Sequence, residues 1–416
     1  MEVLHAKCAG LDVHRDTVVA CARIVAQGAV VQEVRTFGAT TKELMALSEW
    51  LTDHGVTHVA MEATGVYWRP VWHVLDGAFE LVLANAMHIK NVPGRKTDVN
   101  DAMWIADLLA HGLIRGSFVP PAPVLDLRAL TRTRKQLVRE RASHVQRIDK
   151  ILQDANLTLG SVLTDIRGQS GRAILDAIVA GETEPGKLAL RVSKRVKASR
   201  QTILEALQGT VTVNHRFLLK LHLGQADGLQ AAIDELDREV GERLDPFRVS
   251  ADRLTQIPGI SDVVAAAIVS EIGVDMSRFE TAENLISWAG LCPKNDESAG
   301  KRRSTRLRKG APWLKTLLVQ SAWCATRAKN TYLQAQFLRL RARRGPKKAI
   351  MAVAASILTA VYHMLKNGTD YKDLGADHFN GLDKAKAVTR LVRKIENLGF
   401  EVTGLREVQS AVGAQV

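Results

Sequence analysis

Ala9-Gly10-Leu11-Asp12-Val13-His14-Arg15-Asp16 sets one carboxylate, Asp12, inside an apolar run that reads as a strand, and the fold follows from where its companions lie. A second strand-like run, Thr57-His58-Val59-Ala60-Met61-Glu62-Ala63-Thr64-Gly65, carries Glu62 at its end. Farther on, Lys96-Thr97-Asp98-Val99-Asn100-Asp101-Ala102-Met103-Trp104-Ile105 places Asp98 and Asp101 three residues apart. At helical spacing those two project from one face. Converging carboxylates repel one another unless a hard cation holds them, so the set Asp12, Glu62, Asp98 and Asp101 predicts a divalent metal site. Two such ions clamp the attacking and leaving oxygens of a phosphoryl transfer. Asp107 falls roughly opposite the Asp98–Asp101 face and is left out of the set.

Around these acids the first 118 residues alternate in α/β style. His5 to Ile24 reads as two strands joined by a turn at His14-Arg15-Asp16, and Ala29 to Phe37 as a third. Lys42 to His54 has amphipathic helical spacing through Leu44, Leu47, Trp50 and Leu51, and the strand ending on Glu62 follows. Tyr67 to Leu75 reads as helix and Glu80 to Ala86 as a short buried strand. Val92-Pro93-Gly94-Arg95 forms a loop leading into the helix of Asp98 and Asp101. Strand-Asp, strand-Glu, helix-Asp-x-x-Asp in this order resembles a RuvC-type nuclease of the ribonuclease H fold. His54 and His58 have metal-like spacing, but Gly55 puts them on a turn, and they read as structural.

The 416 residues are 46% hydrophobic and carry a formal charge of +13, enough chain for two or three cores and a balance that asks for an anionic partner. From Lys301 to Lys348 there are fifteen Lys and Arg and no acid, so this window carries +15 and the remainder sums to −2. Lys301, Arg302, Arg303, Arg306, Arg308 and Lys309 open it, and a nucleic-acid backbone is the partner they predict. Cys8, Cys21, Cys292 and Cys324 form no Cys-x-x-Cys pair and read as reduced, mostly buried thiols of a cytoplasmic protein. Met1 to Gly10 lacks the apolar stretch of a signal peptide. The longest apolar run, Ala349 to Leu365, falls short of the ~20 residues a bilayer span needs and reads as a buried helix, so no membrane partner is expected.

Pro120, Pro121 and Pro123 close the first domain. Residues 119–250 read as an arm: Leu125 to Asn156 as one long helix, antiparallel to a partner near Phe217 to Leu244, with basic Arg191 to Arg200 between them. This arm is either a structural spacer or an element that dimerises or grips nucleic acid. Residues 251–375 form a third, mostly helical domain, and 376–416 a small helical appendage. In the third, Ile257-Pro258-Gly259-Ile260 before the apolar helix Val263 to Ile272 looks like the turn of a helix-hairpin-helix element. The backbone around Gly259 would there hold a phosphate without reading sequence; a tight apolar turn is the alternative.

Trp288-Ala289-Gly290-Leu291-Cys292-Pro293-Lys294-Asn295-Asp296-Glu297-Ser298-Ala299-Gly300-Lys301 contains a second chemical candidate. Ser298 opens the acid-free window among small residues. A serine hydroxyl becomes a nucleophile when a base or metal takes its proton and cations stabilise the phosphate under attack. A polar loop residue is the plain reading. A phosphate-loop reading of Gly300-Lys301 fails, because Asn295 stands at the first glycine position and Arg302 where Ser or Thr is required.

Taken together, the chain resembles the DEDD transposases of the IS-one-ten family, which mobilise bacterial insertion sequences. The resemblance rests on Gly10-Leu11-Asp12-Val13-His14, Met61-Glu62-Ala63-Thr64-Gly65, Lys96-Thr97-Asp98-Val99-Asn100-Asp101-Ala102, Ile257-Pro258-Gly259-Ile260, Gly290-Leu291-Cys292-Pro293 and Ser298-Ala299-Gly300-Lys301. It implies Mg²⁺ on Asp12, Glu62, Asp98 and Asp101, and a transposase domain whose serine, matched by Ser298, forms a covalent link to DNA. It further implies a structured non-coding guide RNA pairing with donor and target DNA, and a homo-oligomer, dimer or tetramer, in which acids of one subunit meet the serine of another. Asp296 and Glu297 before Ser298 depart from the small or polar neighbours of the family motif, and Ser304 is the fallback. A metal-only nuclease or junction resolvase, with Ser298 incidental, is the competing reading; a non-catalytic RNA- or DNA-binding scaffold is the second.

Overall fold

The computed structural model describes residues 3–26, 28–63, 65–84, 101–293, 296–298, 301–304, 306–307, 310–381 and 384–404. The chain gathers into two compact units, Met1–Val119 and Pro120–Val416.

In the first unit, β1 (Lys7–Val13), β2 (Thr17–Ala26) and β3 (Ala29–Gly38) form an antiparallel meander, and His14 N–H donates to the Thr17 carbonyl at 2.9 Å to close the first turn. Helix α1 (Thr41–Asp53) starts on Thr40, whose Oγ1 accepts from Glu43 N–H. It buries Leu44, Leu47, Trp50 and Leu51, the stripe its spacing predicts. Strand β4 (His58–Glu62) then pairs parallel with β1, helix α2 (Trp68–Leu75) crosses back, and β5 (Glu80–Ala84) pairs parallel with β4. The sheet order is β3-β2-β1-β4-β5. Alternate residues of the strands feed two separate cores, as period-2 pleating requires. Leu11, Val13, Val59 and Met61 pack with α1 and α2 on one face. Cys8, Ala60 and Ala84 pack with Ile105 and Leu109 of α3 (Asp101–Ala110) on the other.

The second unit is mostly helical. Helix α4 (Ala122–Asp154) begins on Pro121, with Pro123 in its first turn, where a missing N–H is tolerated. It runs as the long helix expected, antiparallel to α9 (Val213–Arg243). Arg243 meets Asp126 at one end of the pair, Arg134 binds Asp237 and Arg141 binds Gln230 along it, and Asp154 accepts from His215 at the other end. Between Leu127 and Ile148 no residue of α4 is buried, so the shaft is a slender pair joined by polar rungs. The intervening stretch, left unassigned by periodicity, folds into α5 (Leu159–Val162), α6 (Gln169–Val179), α7 (Pro185–Ala189) and α8 (Arg200–Ala206). Their Ile174, Ile178, Leu188 and Ile203 form one core with Ile148, Leu152, Leu219 and Leu223 of the arm. The basic stretch Arg191 to Arg200 is part of this cap, with Val192, Val196 and Ala198 packed against its core.

At the base of the arm α10 (Arg248–Leu254) turns into α11 (Asp262–Ile272), followed by α12 (Ala282–Trp288), α13 (Pro312–Ala325), α14 (Tyr332–Arg344) and α15 (Pro346–Asn367). The predicted turn at Ile257–Ile260 is present between α10 and α11. Gly259 has φ +87°, and a Cβ there would collide with the Ser321 carbonyl of α13. Close packing and a left-handed backbone thus account for this glycine directly. Helix α15 is longer than the apolar run read from the sequence. By length and composition it could cross a membrane, but half of its most apolar window is buried, with Val353, Ile357, Leu358 and Val361 inside the unit. Two short helices, α16 (His378–Gly381) and α17 (Lys384–Glu396), follow where a helical appendage was expected. Of the four thiols only Cys8 and Cys21 are buried; Cys324 is exposed, which corrects the expectation of mostly buried cysteines.

Candidate active site and nucleic-acid interface

Strands β1 and β4 pair with Leu11 opposite Met61, so Asp12 and Glu62 follow side by side at the same end of adjacent parallel strands. Gly10 and Ala60 sit opposite each other on the face covered by α3, and Asp12 and Glu62, two residues on, share that face. Helix α3 runs against β1. Its Ala110 carbonyl accepts from Leu4 and His5 N–H, its Ala106 carbonyl from the Cys8 thiol at 3.5 Å, and its Ala102 carbonyl lies over Gly10. Its first residue, Asp101, therefore arrives at the end of β1 that bears Asp12. Three of the four predicted acids lie on three elements at the same end of the central strands β1 and β4; Asp98 lies outside the described residues.

The donor set is all carboxylate oxygen, the chemistry that hard divalent cations such as Mg²⁺ take. Among the described residues, no three His, Cys, Asp or Glu side chains stand close enough to hold a metal ion. The near neighbour of Asp12 is instead His14, whose Nε2 lies 3.2 Å from its Oδ2. The signal in the sequence for this contact is the position of His14, two residues beyond Asp12 at the end of a strand.

Other groups beneath the site are structural. Asp107 accepts from Arg23 Nε at 2.7 Å and Gln32 Nε2 at 3.1 Å, which agrees with its exclusion from the acidic set. Burial pushes the Cys8 thiol up to about 11, and burial with the nearby Asp107 charge pushes Cys21 up to about 12. Neither supplies a thiolate nucleophile at neutral pH. His54 bridges the Trp50 carbonyl and Glu33, and His58 meets the Thr57 hydroxyl, the structural roles expected of both.

In the second unit, Ser298 is not in an open loop. It ends β6 (Asp296–Ser298), which pairs antiparallel with β7 (Lys301–Ser304), Ser298 opposite Lys301 and Glu297 opposite Arg302. A bulge falls between Asp296 and Glu297, and a bridge between Pro293 and Leu307 continues the pairing outward. Ser298, Lys301, Arg302 and Arg303 thus share the end of one hairpin, with Ser304 farther back opposite Asp296. Arg306 is exposed, and Arg308 and Lys309 lie outside the described residues.

Comparisons with known proteins follow the same division. A family model described as "Transposase" (DEDD, IS110) matches residues 9–157, and one described as "Transposase IS116/IS110/IS902 family" matches residues 251–338. A transposase for insertion sequence element IS1111A of Coxiella burnetii is 23% identical over 321 residues, 76% of this chain and 79% of its own. An uncharacterized 44.8 kDa protein of insertion element IS116 from Streptomyces clavuligerus is 28% identical over 280 residues, 58% of this chain and 68% of its own. The 43.6 kDa protein of insertion element IS110 from Streptomyces coelicolor is 27% identical over 302 residues, 67% and 73%. With one model over the acid-bearing sheet and arm helix, and the other over the hairpin and its helices, the chain belongs to the IS116/IS110/IS902 family of transposases, recombinase-type enzymes that cleave and join DNA.

Proposed function

We propose that this transposase works through a serine nucleophile, Ser298, assisted by Mg²⁺ on Asp12, Glu62, Asp98 and Asp101. The observation that carries the reading is the placement of Asp12, Glu62 and the start of α3 at the same end of the central strands β1 and β4. The order β3-β2-β1-β4-β5, three strands antiparallel and two added in parallel, supports a RuvC-like ribonuclease H fold. When bound there, the ion supplies Lewis-acid stabilisation of charge on the scissile phosphate. The Ser298 hydroxyl attacks phosphorus, an Oγ–P bond forms as the strand's P–O bond breaks, and the leaving oxygen takes a proton. The energy of the phosphodiester is kept in the phosphoserine, so a strand hydroxyl can later rejoin without ATP. Lys301, Arg302 and Arg303, opposite and beside Ser298 on the hairpin, neutralise phosphate charge, with Arg306, Arg308 and Lys309 behind them. The turn at Gly259 offers backbone contact to a phosphate in the manner of a helix-hairpin-helix.

Target choice in this reading lies with a structured non-coding RNA, base-paired to donor and target DNA, while the protein reads backbone and shape. The enzyme acts as a homo-oligomer; an exposed apolar row on α9, Val213, Phe217 and Leu221, supports self-association along the arm. Purification from cells carrying the whole element, followed by sequencing of bound RNA and incubation with element-end DNA, tests both parts. A discrete co-purifying RNA and a protein–DNA adduct that disappears in Ser298→Ala are expected. Strand cleavage by Ser298→Ala with no adduct in either protein would establish the metal-only nuclease instead.

A further inference from the structure

At the base of the arm, α4, α9, α11 and α13 enclose a cavity of about 640 Å³. Its floor is apolar, built from Val138, Val240, Ala266 and Leu317 with Val263 exposed at the mouth, and its rim is cationic, with Arg134, Lys135, Arg139 and Arg248. Beside it stands Trp313. Arg132 Cζ, Lys135 Nζ and Arg139 Cζ surround its ring at 5.4, 5.4 and 5.5 Å from the centroid.

The cations are not equivalent. Arg132 is held by both oxygens of Glu271, Arg134 by Asp237, and Arg248 by Asp245. Lys135 and Arg139 have no carboxylate at ion-pair distance among the described residues. The acids of the lining are Asp237, already held by Arg134, and Asp262 at the start of α11. Burial and the adjacent Arg139 hold the Lys135 ammonium below the ordinary lysine range. A like-charged pair kept together beside an indole is relieved by an anion.

We propose that this cavity receives one nucleotide of a single-stranded nucleic acid, its base on the apolar floor and its phosphate against Lys135 and Arg139. A free phosphate would leave the floor in water, and an apolar peptide would leave the two cations unpaired. A nucleotide answers both. Bases within a duplex are stacked and out of reach, so the ligand is an unpaired or extruded one. Neither Ser298 nor any of the four acids is among the residues that line it.

Short single-stranded oligonucleotides bearing one photoreactive thiouracil, in ribose and deoxyribose forms, are cross-linked to the full-length protein and the joined peptides mapped. Cross-links within α4 near Val138, α11 near Val263 and α13 near Leu317 are expected. Ala267→Leu adds bulk to the cavity lining without changing charge, and Lys135→Ala removes the anion contact; each lowers affinity about tenfold or more. Should Ala267→Leu lower the melting temperature, Val263→Leu at the exposed mouth repeats the test. An abasic oligonucleotide bound as tightly as its parent, or cross-links and affinity unchanged in Ala267→Leu, overturns the proposal. The sugar form that binds more tightly identifies whether RNA or DNA is the source.

Discussion

Gly10 of β1 lies directly beneath the Ala102 carbonyl of α3, so close that a Cβ on Gly10 would fall well inside van der Waals contact with that oxygen and with the Ala106 nitrogen. The missing side chain is what lets the helix descend onto the strand and bring Asp101 to the end where Asp12 stands. Both atoms belong to helix backbone and cannot rotate away. Gly10→Ala should destabilise the first unit by about 3 kcal/mol through overpacking. Thermal unfolding measures this, and transposition should fall more than the loss of folded protein accounts for, because α3 is displaced at its N-terminal end.

Glu271, 3% exposed in α11, anchors the base of the arm. Both its carboxylate oxygens bind Arg132, at 2.8 and 2.9 Å, and Arg128 holds the Ser270 and Glu271 carbonyls of the same turn. Removing the carboxylate leaves Arg132 without its partner beside Trp313. Glu271→Ala should cost about 3 kcal/mol, the lower part of the range for a broken buried pair because Arg132 is partly solvated. Glu271→Gln, which keeps an acceptor, should lose less. Urea unfolding of the two variants separates these outcomes.

How far such features can be read in advance depends on how local their causes are. The strands bearing Asp12 and Glu62 are legible because apolar runs of the right length between turn residues have no competing helical reading. The stripe Leu44, Leu47, Trp50, Leu51 marks α1 for the same reason. The cap helices α5 to α8 carry no such mark: α5 and α7 are four and five residues long, too short to form alone, and exist only against the ends of α4 and α9. Lys135 and Arg139 read as two more charges on a basic helix until α13 brings Trp313 against them from far along the chain. His14 was visible as a turn residue, but only the β1–β2 pairing directs it back to Asp12.

The link between β3 and α1 gives a pH signature. His54 Nδ1–H donates to the Trp50 carbonyl at 2.8 Å and Nε2–H to Glu33 at 3.0 Å, so the imidazolium is favoured and its pKa rises above 6.5, the carbonyl contributing most and Glu33 next. Glu33 falls below 4.5, through His54 first and the Trp50 indole second. The histidine contribution is complete below 6.5 and is lost as pH rises through the raised value. The Glu33 contribution is complete above 4.5 and is lost as pH falls through the lowered value. The difference in melting temperature between wild type and His54→Gln should therefore be greatest between 4.5 and 6.5 and shrink in mildly alkaline buffer.

Metal binding is open to a test that needs no DNA. If Asp12, Glu62 and Asp101 hold a divalent cation together with Asp98, that ion binds only the folded sheet and must stabilise it. At a hundredfold excess over its dissociation constant the gain is about 2.7 kcal/mol. Melting of the wild-type protein should rise with added Mg²⁺, and not with an equal ionic strength of sodium salt, which screens repulsion without bridging carboxylates. Asp12→Asn keeps the size of the side chain and can still bond His14. It should fold about as well as wild type in the absence of metal and should lose most of the Mg²⁺ response. Glu62→Gln, from the adjacent strand, should do the same. A wild-type protein whose melting ignores Mg²⁺, or an Asp12→Asn variant that responds in full, would leave the acids as ordinary polar groups at the ends of two strands.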